Sequence, residues 1–115
     1  MANALDLPIL QKIYDFYKLF REFSEKFPKK DRFTIGQRCE EHTLILIEEL
    51  IRVSKSSRAQ KSQLLFDISV KLDTLKVLIR LLKDTKILDL RRYARLEEHL
   101  FEIGKMLGGW IKSMH

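Results

Sequence analysis

Apolar side chains recur along this chain in steps of three and four residues, with three short polar or proline-containing interruptions. The first run is Ile9, Ile13, Phe16, Phe20, Phe23 and Phe27. At about 100° per residue these positions share one face, which predicts an amphipathic helix from about Pro8 to Lys26. Proline is tolerated in a first turn, where its missing N–H would be unpaired anyway, and Asp6 is placed to cap the helix. Pro28 is expected to end it, because Phe27 before it is pushed out of the α region. A second helix is predicted from about Arg32 to Ser54, with Ile35, Cys39, His42, Leu46, Leu50 and Val53 on one face. Leu44, Ile47 and Ile51 widen that face. The serine-rich stretch from Ser54 to Arg58 reads as a loop, since serine hydroxyls compete for backbone hydrogen bonds.

The third predicted helix, from about Ala59 to Asp84, carries two apolar stripes. One is Leu64, Ile68, Leu72, Leu75, Ile79 and Leu82; the other, about half a turn away, is Phe66, Val70, Val77 and Leu81. A polar wedge of Ser69, Asp73, Lys76, Arg80 and Lys83 separates them. A helix apolar on two sides is expected to be covered on both. Burying four more such side chains at ~1.5–3 kcal/mol each would stabilise an interface between copies of the chain. The fourth helix should run from about Leu90 to Lys112, capped by Asp89. Its core face is Tyr93, Leu96, Leu100, Ile103, Leu107, Trp110 and Met114, and Arg91, Arg95, Glu98, Glu102 and Lys105 form its solvent face. Gly104 and Gly108, at i and i+4, read as close helix packing or a fraying end.

Loops this short join antiparallel neighbours. The expected fold is all-α, an antiparallel up-down-up-down four-helix bundle forming a single domain over residues 1–115. The totals agree. The 115 residues suit one domain, 45% hydrophobic content supports one core, and only two prolines and four glycines interrupt the regular elements. Cys39 is the only cysteine, which excludes an internal disulfide and suits a reducing compartment. The opening MANALDLPIL does not read as a secretory signal, and no apolar run approaches the ~20 residues of a membrane span. A soluble, cytoplasmic protein with no membrane partner is expected.

The net charge of +6 changes the picture through its placement. Up-down topology brings the first and third loops to the same end. Lys26, Lys29, Lys30, Arg32 and Arg38 come from the first corner, and Arg80, Lys83, Lys86, Arg91, Arg92 and Arg95 from the second. That gathers half of the 22 lysines and arginines, against Glu25, Asp31, Asp84 and Asp89. Solvated helix ends kept charged for solubility would look similar. The functional alternative is a phosphate-binding surface, with affinity for RNA or DNA and little sequence readout. Aromatics that could stack on bases are not obvious: Phe33 and Tyr93 lie near this end, but both read more readily as core. Lys55, Arg58 and Lys61 form a smaller cluster at the other end.

Signals for chemistry are weak. A di-iron bundle needs Glu-x-x-His motifs, and none is present. Glu40-Glu41-His42 and Glu97-Glu98-His99 are contiguous and spread around their helices. Cys39 and His42 share a face, but nothing completes a tetrahedral metal site. Arg38/His42 and Arg95/His99 are i, i+4 pairs; helical ribonucleases with an Arg…His motif use a longer spacing. There is no P-loop, GxGxxG or Gly-x-Ser-x-Gly. No enzyme activity, catalytic residue, metal or cofactor is expected.

Three segments carry a resemblance: Lys26–Arg38 (KFPKKDRFTIGQR), Leu75–Leu88 (LKVLIRLLKDTKIL) and Tyr93–Lys112 (YARLEEHLFEIGKMLGGWIK). Over about Pro8 to Lys112 the chain resembles the accessory variability determinants of diversity-generating retroelements, through packing and loop patterns rather than catalytic motifs. The sister branch, encoded in intervening sequences of large-subunit ribosomal RNA genes, has an Asn-Ile-Ala-Glu-Gly-like end to its second helix. Ile47-Glu-Glu-Leu-Ile51 departs from that pattern and favours the retroelement branch. The resemblance implies a ring-like homopentamer that binds a reverse transcriptase and template RNA during mutagenic retrohoming. Lys29, Lys30 and Arg32 match the family's loop, and Arg80, Arg91, Arg92 and Arg95 its charged helix ends. The expectation is a non-enzymatic nucleic-acid-binding factor, with Phe66, Val70, Val77 and Leu81 at the oligomer interface. The alternatives are an intervening-sequence-type interaction protein without a polymerase partner, and a small helical ribonuclease.

Overall fold

Pro8 opens the first long helix of the computed structural model, which describes residues 3–114. The very ends of the expected 1–115 domain thus lie outside the described residues. Helix α1 is Pro8–Ser24. Helix α2 covers residues 29–54 and is built from Lys29–Asp31, a wide π-helical turn at Arg32–Gly36, and Gln37–Ser54. Helix α3 is Arg58–Asp84 and α4 is Leu90–Ser113. The described residues contain these four main helices and a short 3₁₀ turn at Ala4–Asp6, and no strand.

Each helix packs on its neighbours in the chain, and α4 closes back on α1. All four contribute to one continuous apolar cluster, including Phe16, Phe20, Leu46, Leu75, Ile79, Leu96 and Leu100. Every member of the predicted α1 stripe is buried. At ~1.5–3 kcal/mol for each fully buried large side chain, this cluster is the main stabilising term. Among the described residues the two buried polar side chains are satisfied inside their own helix: Thr43 Oγ1 donates to the Cys39 carbonyl at 2.7 Å and Ser24 Oγ to that of Arg21 at 3.3 Å.

Local details differ from expectation for identifiable reasons. Asp6 does not cap α1. Its carboxylate accepts the Asn3 N–H at 3.0 Å within the 3₁₀ turn, and Leu7 precedes α1 without a side-chain cap. Helix α1 ends at Ser24, before Pro28, because the amides of Lys26 and Phe27 tighten onto the carbonyls of Phe23 and Ser24. Pro28 instead opens α2, three residues ahead of the predicted start. On α3 the buried position is Leu65, with Leu64 only half-buried. Leu65, Ile68, Leu72, Leu75, Ile79 and Leu82 keep the alternating three-four spacing of a packed seam, which Leu64 breaks. On α2, Leu44 is exposed and His42 half-buried.

The wide turn in α2 has a specific fit. Gly36 is buried under the ring of Phe27, where an added Cβ would meet the Asp31 carbonyl oxygen at 3.1 Å and Phe27 Cδ2 at 3.3 Å. Thr34 Oγ1 donates to the Lys30 carbonyl at 2.6 Å across the same turn.

Candidate nucleic-acid interface

Two aromatic rings anchor basic side chains near the helix ends. The guanidinium carbons of Arg92 and Arg95, at the start of α4, lie 5.7 and 5.4 Å from the ring centroid of Phe23, near the end of α1. Lys83 Nζ, at the end of α3, lies 5.0 Å from the ring of Tyr93 on α4. Cations over aromatic faces in this range are attractive by ~0.5–2 kcal/mol, and the Phe23 contacts place the end of α1 beside the start of α4. Burial pushes the Tyr93 phenol up, and Glu97 raises it further.

The connection between α3 and α4 is shaped by backbone hydrogen bonds. The amides of Lys86 and Ile87 return to the carbonyls of Lys83 and Leu82, both at 2.9 Å. This closes α3 with Lys86 at φ 65°, the left-handed conformation that glycine usually takes at a helix exit. Asp89 then caps α4 as the sequence predicts, accepting the Arg92 N–H at 2.8 Å. That bond, with the adjacent Arg92 guanidinium, holds the Asp89 carboxyl below its ordinary range.

These acids engage only part of the basic set. Asp84 pairs with Arg80 at 3.5 Å and Lys83 at 3.3 Å, and Asp89 with Arg92. Lys26, Lys29, Lys30, Arg32, Arg38, Lys86, Arg91 and Arg95 are exposed, and among the described residues none has a carboxylate within 4.0 Å. Unpaired cations on neighbouring turns of one end form a concentrated positive field that the protein itself does not neutralise.

Phe33 differs from the core position expected for it: its side chain is 56% exposed. The Arg32 guanidinium carbon lies 5.3 Å from the ring centroid. The available signal was its place off the Ile35–Cys39 line, next to the competing Phe27. Tyr93 is half-buried. Of the smaller cluster Lys55, Arg58 and Lys61, Lys55 borders a groove with Arg52, Ser56, Ser57 and Gln60.

Neither of the two described histidines stands free over a cleft. His42 Nε2 donates to the Lys71 carbonyl at 2.9 Å, joining α2 to α3, and His99 Nδ1 donates to the Arg95 carbonyl at 3.0 Å. Cys39 is fully buried, and burial pushes its thiol up to about 12, with Glu40 adding to the effect. Among the described residues no three His, Cys, Asp or Glu side chains are grouped as a metal site requires. No described helix is long and apolar enough to cross a membrane. On the outer side of α3, Phe66, Val70, Val77 and Leu81 all project from the surface, Phe66 by 61% and Val77 by 65% of their area.

Compared with known families, residues 7–114 match the bAvd-like family model. The chain belongs to the bAvd-like family. This agrees with the resemblance to the accessory variability determinants of diversity-generating retroelements. No match was found among curated proteins. The matched span takes in the basic corners, the wide turn of α2 and the outer stripe of α3.

Proposed function

We propose that this bAvd-like protein is a non-enzymatic accessory subunit of a diversity-generating retroelement, working in the cytoplasm. It binds RNA or DNA through its basic end and associates with the reverse transcriptase during mutagenic retrohoming. The observation that carries this reading is the set of eight exposed cations without acidic partners at one end of the molecule. Phosphate is the ligand that repays such a surface, because each neutralised phosphate releases condensed counterions.

The helices run up, down, up and down. In support, Arg21 meets Glu40 at 2.8 Å, His42 meets Lys71, Lys83 meets Tyr93, and Arg92 and Arg95 meet Phe23. The end of α3 lies beside the start of α4, the start of α4 beside the end of α1, and the middles of α2 and α3 meet. The outer stripe of α3 joins copies into a ring-like homopentamer. Repeating the basic end around a ring turns weak single contacts into avid binding. Part of the same surface docks the polymerase through acidic side chains.

Filter binding of RNA and DNA over rising salt tests the electrostatic core of this proposal. Affinity should fall steeply, and Lys29→Ala and Lys30→Ala should each reduce the slope of log K against log salt by about one. Affinity unchanged between low and moderate salt would overturn it. Light scattering on wild type and Val77→Asp tests the ring, the variant being expected to dissociate. Pulldown with a reverse transcriptase encoded beside this gene tests the partner.

A further inference from the structure

Two phenylalanines at the basic end, Phe27 and Phe33, lie six positions apart. Phe27 fills the space against Gly36, its ring within 3.3 Å of where a Cβ would stand, and packs edge-on against Phe20 at 6.0 Å between centroids. With that space taken, Phe33 is left outside on the wide turn of α2. Two other phenylalanines, Phe66 and Phe101, are also exposed, but neither belongs to the basic end. Phe33 sits among Lys29, Lys30, Arg32 and Arg38, none with a carboxylate within 4.0 Å among the described residues. Its ring forms a ridge between two grooves. An open one of about 430 Å³ continues along Gln37, Arg38 and Glu41, and a narrower one is bordered by Arg21, Arg32 and Glu40. Wide helical turns of this kind are rare and are found frequently at functional sites.

We propose that Phe33 is a stacking platform for a nucleobase, which makes the basic end select unpaired nucleotides over duplex. Arg32 steadies one side of the ring, and Lys29, Lys30 and Arg38 take the flanking phosphates. Every base offers a π-face, so such a platform tolerates any sequence, but only an unpaired base can reach it. The platform operates only if the basic end binds nucleic acid, as proposed above.

The test uses fluorescence anisotropy at one fixed salt concentration. The probes are a labelled single-stranded RNA, a single-stranded DNA of the same length, an abasic DNA that keeps the phosphates, and a DNA duplex. The proteins are wild type, Phe33→Ala and Phe33→Trp. Wild type should bind the base-bearing single strands about tenfold more tightly than the abasic strand. Phe33→Ala should abolish that difference while leaving abasic and duplex binding and the salt slope unchanged. Phe33→Trp should restore it, and with Trp110→Phe added, the new indole should be quenched on binding single strands. RNA and DNA arms that differ identify which strand is preferred; both support the platform if each loses its base-dependent part in Phe33→Ala. A base-dependent difference that survives in Phe33→Ala would overturn the platform. So would an equal loss on all probes, or a change in particle mass placing the ring between copies. Wild type that binds every probe equally removes the platform and keeps the nucleic-acid role. Wild type that binds none removes both.

Discussion

Phe27 and Phe33 show how differently the interior and the basic end are specified. Phe27 is held on several sides, by Gly36 below, Phe20 at its edge and the turn that follows. Phe33 touches solvent and a guanidinium. The same contrast extends to whole regions. In the core each side chain is required by its neighbours, since density is close to that of a crystal and one methylene is felt. At the basic end most of the eight exposed cations have no such partner, Arg32 and Arg95 meeting aromatic rings. Like charges kept close together oppose folding slightly, and the proposed use of this end is binding. Changes in the interior should therefore act on stability, and changes at the end on binding.

The largest expected effect is in the core. Leu75 is fully buried, and Leu75→Ala should lower unfolding free energy by about 2–5 kcal/mol in urea denaturation. The protein that remains folded should bind RNA as wild type does, and a parallel loss of affinity would break the contrast. Next is Gly36→Ala, at the boundary between the regions. The added methyl meets a backbone oxygen and a packed ring, so a loss of about 1–3 kcal/mol is expected by the same measurement. Lys86→Gly runs the other way. Glycine relieves the left-handed strain of roughly 1–2 kcal/mol but adds freedom to the unfolded chain, leaving a net gain of about 0.5–1 kcal/mol. The same variant should bind RNA more weakly. Higher stability with lower affinity would mark a lysine kept for its charge, whereas unchanged affinity would leave its strain without a purpose.

The smallest effect concerns pH. Because the folded-state carboxyl of Asp89 titrates below its ordinary value of 3.8, its contribution is fully present above that value. It is lost as pH falls through the lowered folded-state value. Melting curves of wild type and Asp89→Asn, which retains a capping oxygen, should converge toward acid and separate toward neutral pH. Curves separated equally across this range would mean that the carboxylate's charge is not what matters.

Much of this architecture was written locally. The extents of α3 and α4, the α1 stripe, the Asp89 cap and the outer stripe of α3 all follow from spacing within one helix, where 100° per residue leaves little choice. The first two loops were legible too, because a proline and a serine run punctuate them. Choices between neighbours of similar chemistry were not: Leu65 over Leu64, or Asn3 over α1 as the partner of Asp6. These depend on small differences in how the segments approach.

By itself, the sequence determined which stretches are helical, which faces are apolar and how many cations cluster near the turns. Only the tertiary structure decided which of those cations meet a carboxylate and which of two phenylalanines enters the core. Both outcomes are competitions for one space or one partner between residues on different turns. Periodicity reports direction around a single axis and carries no information on the winner.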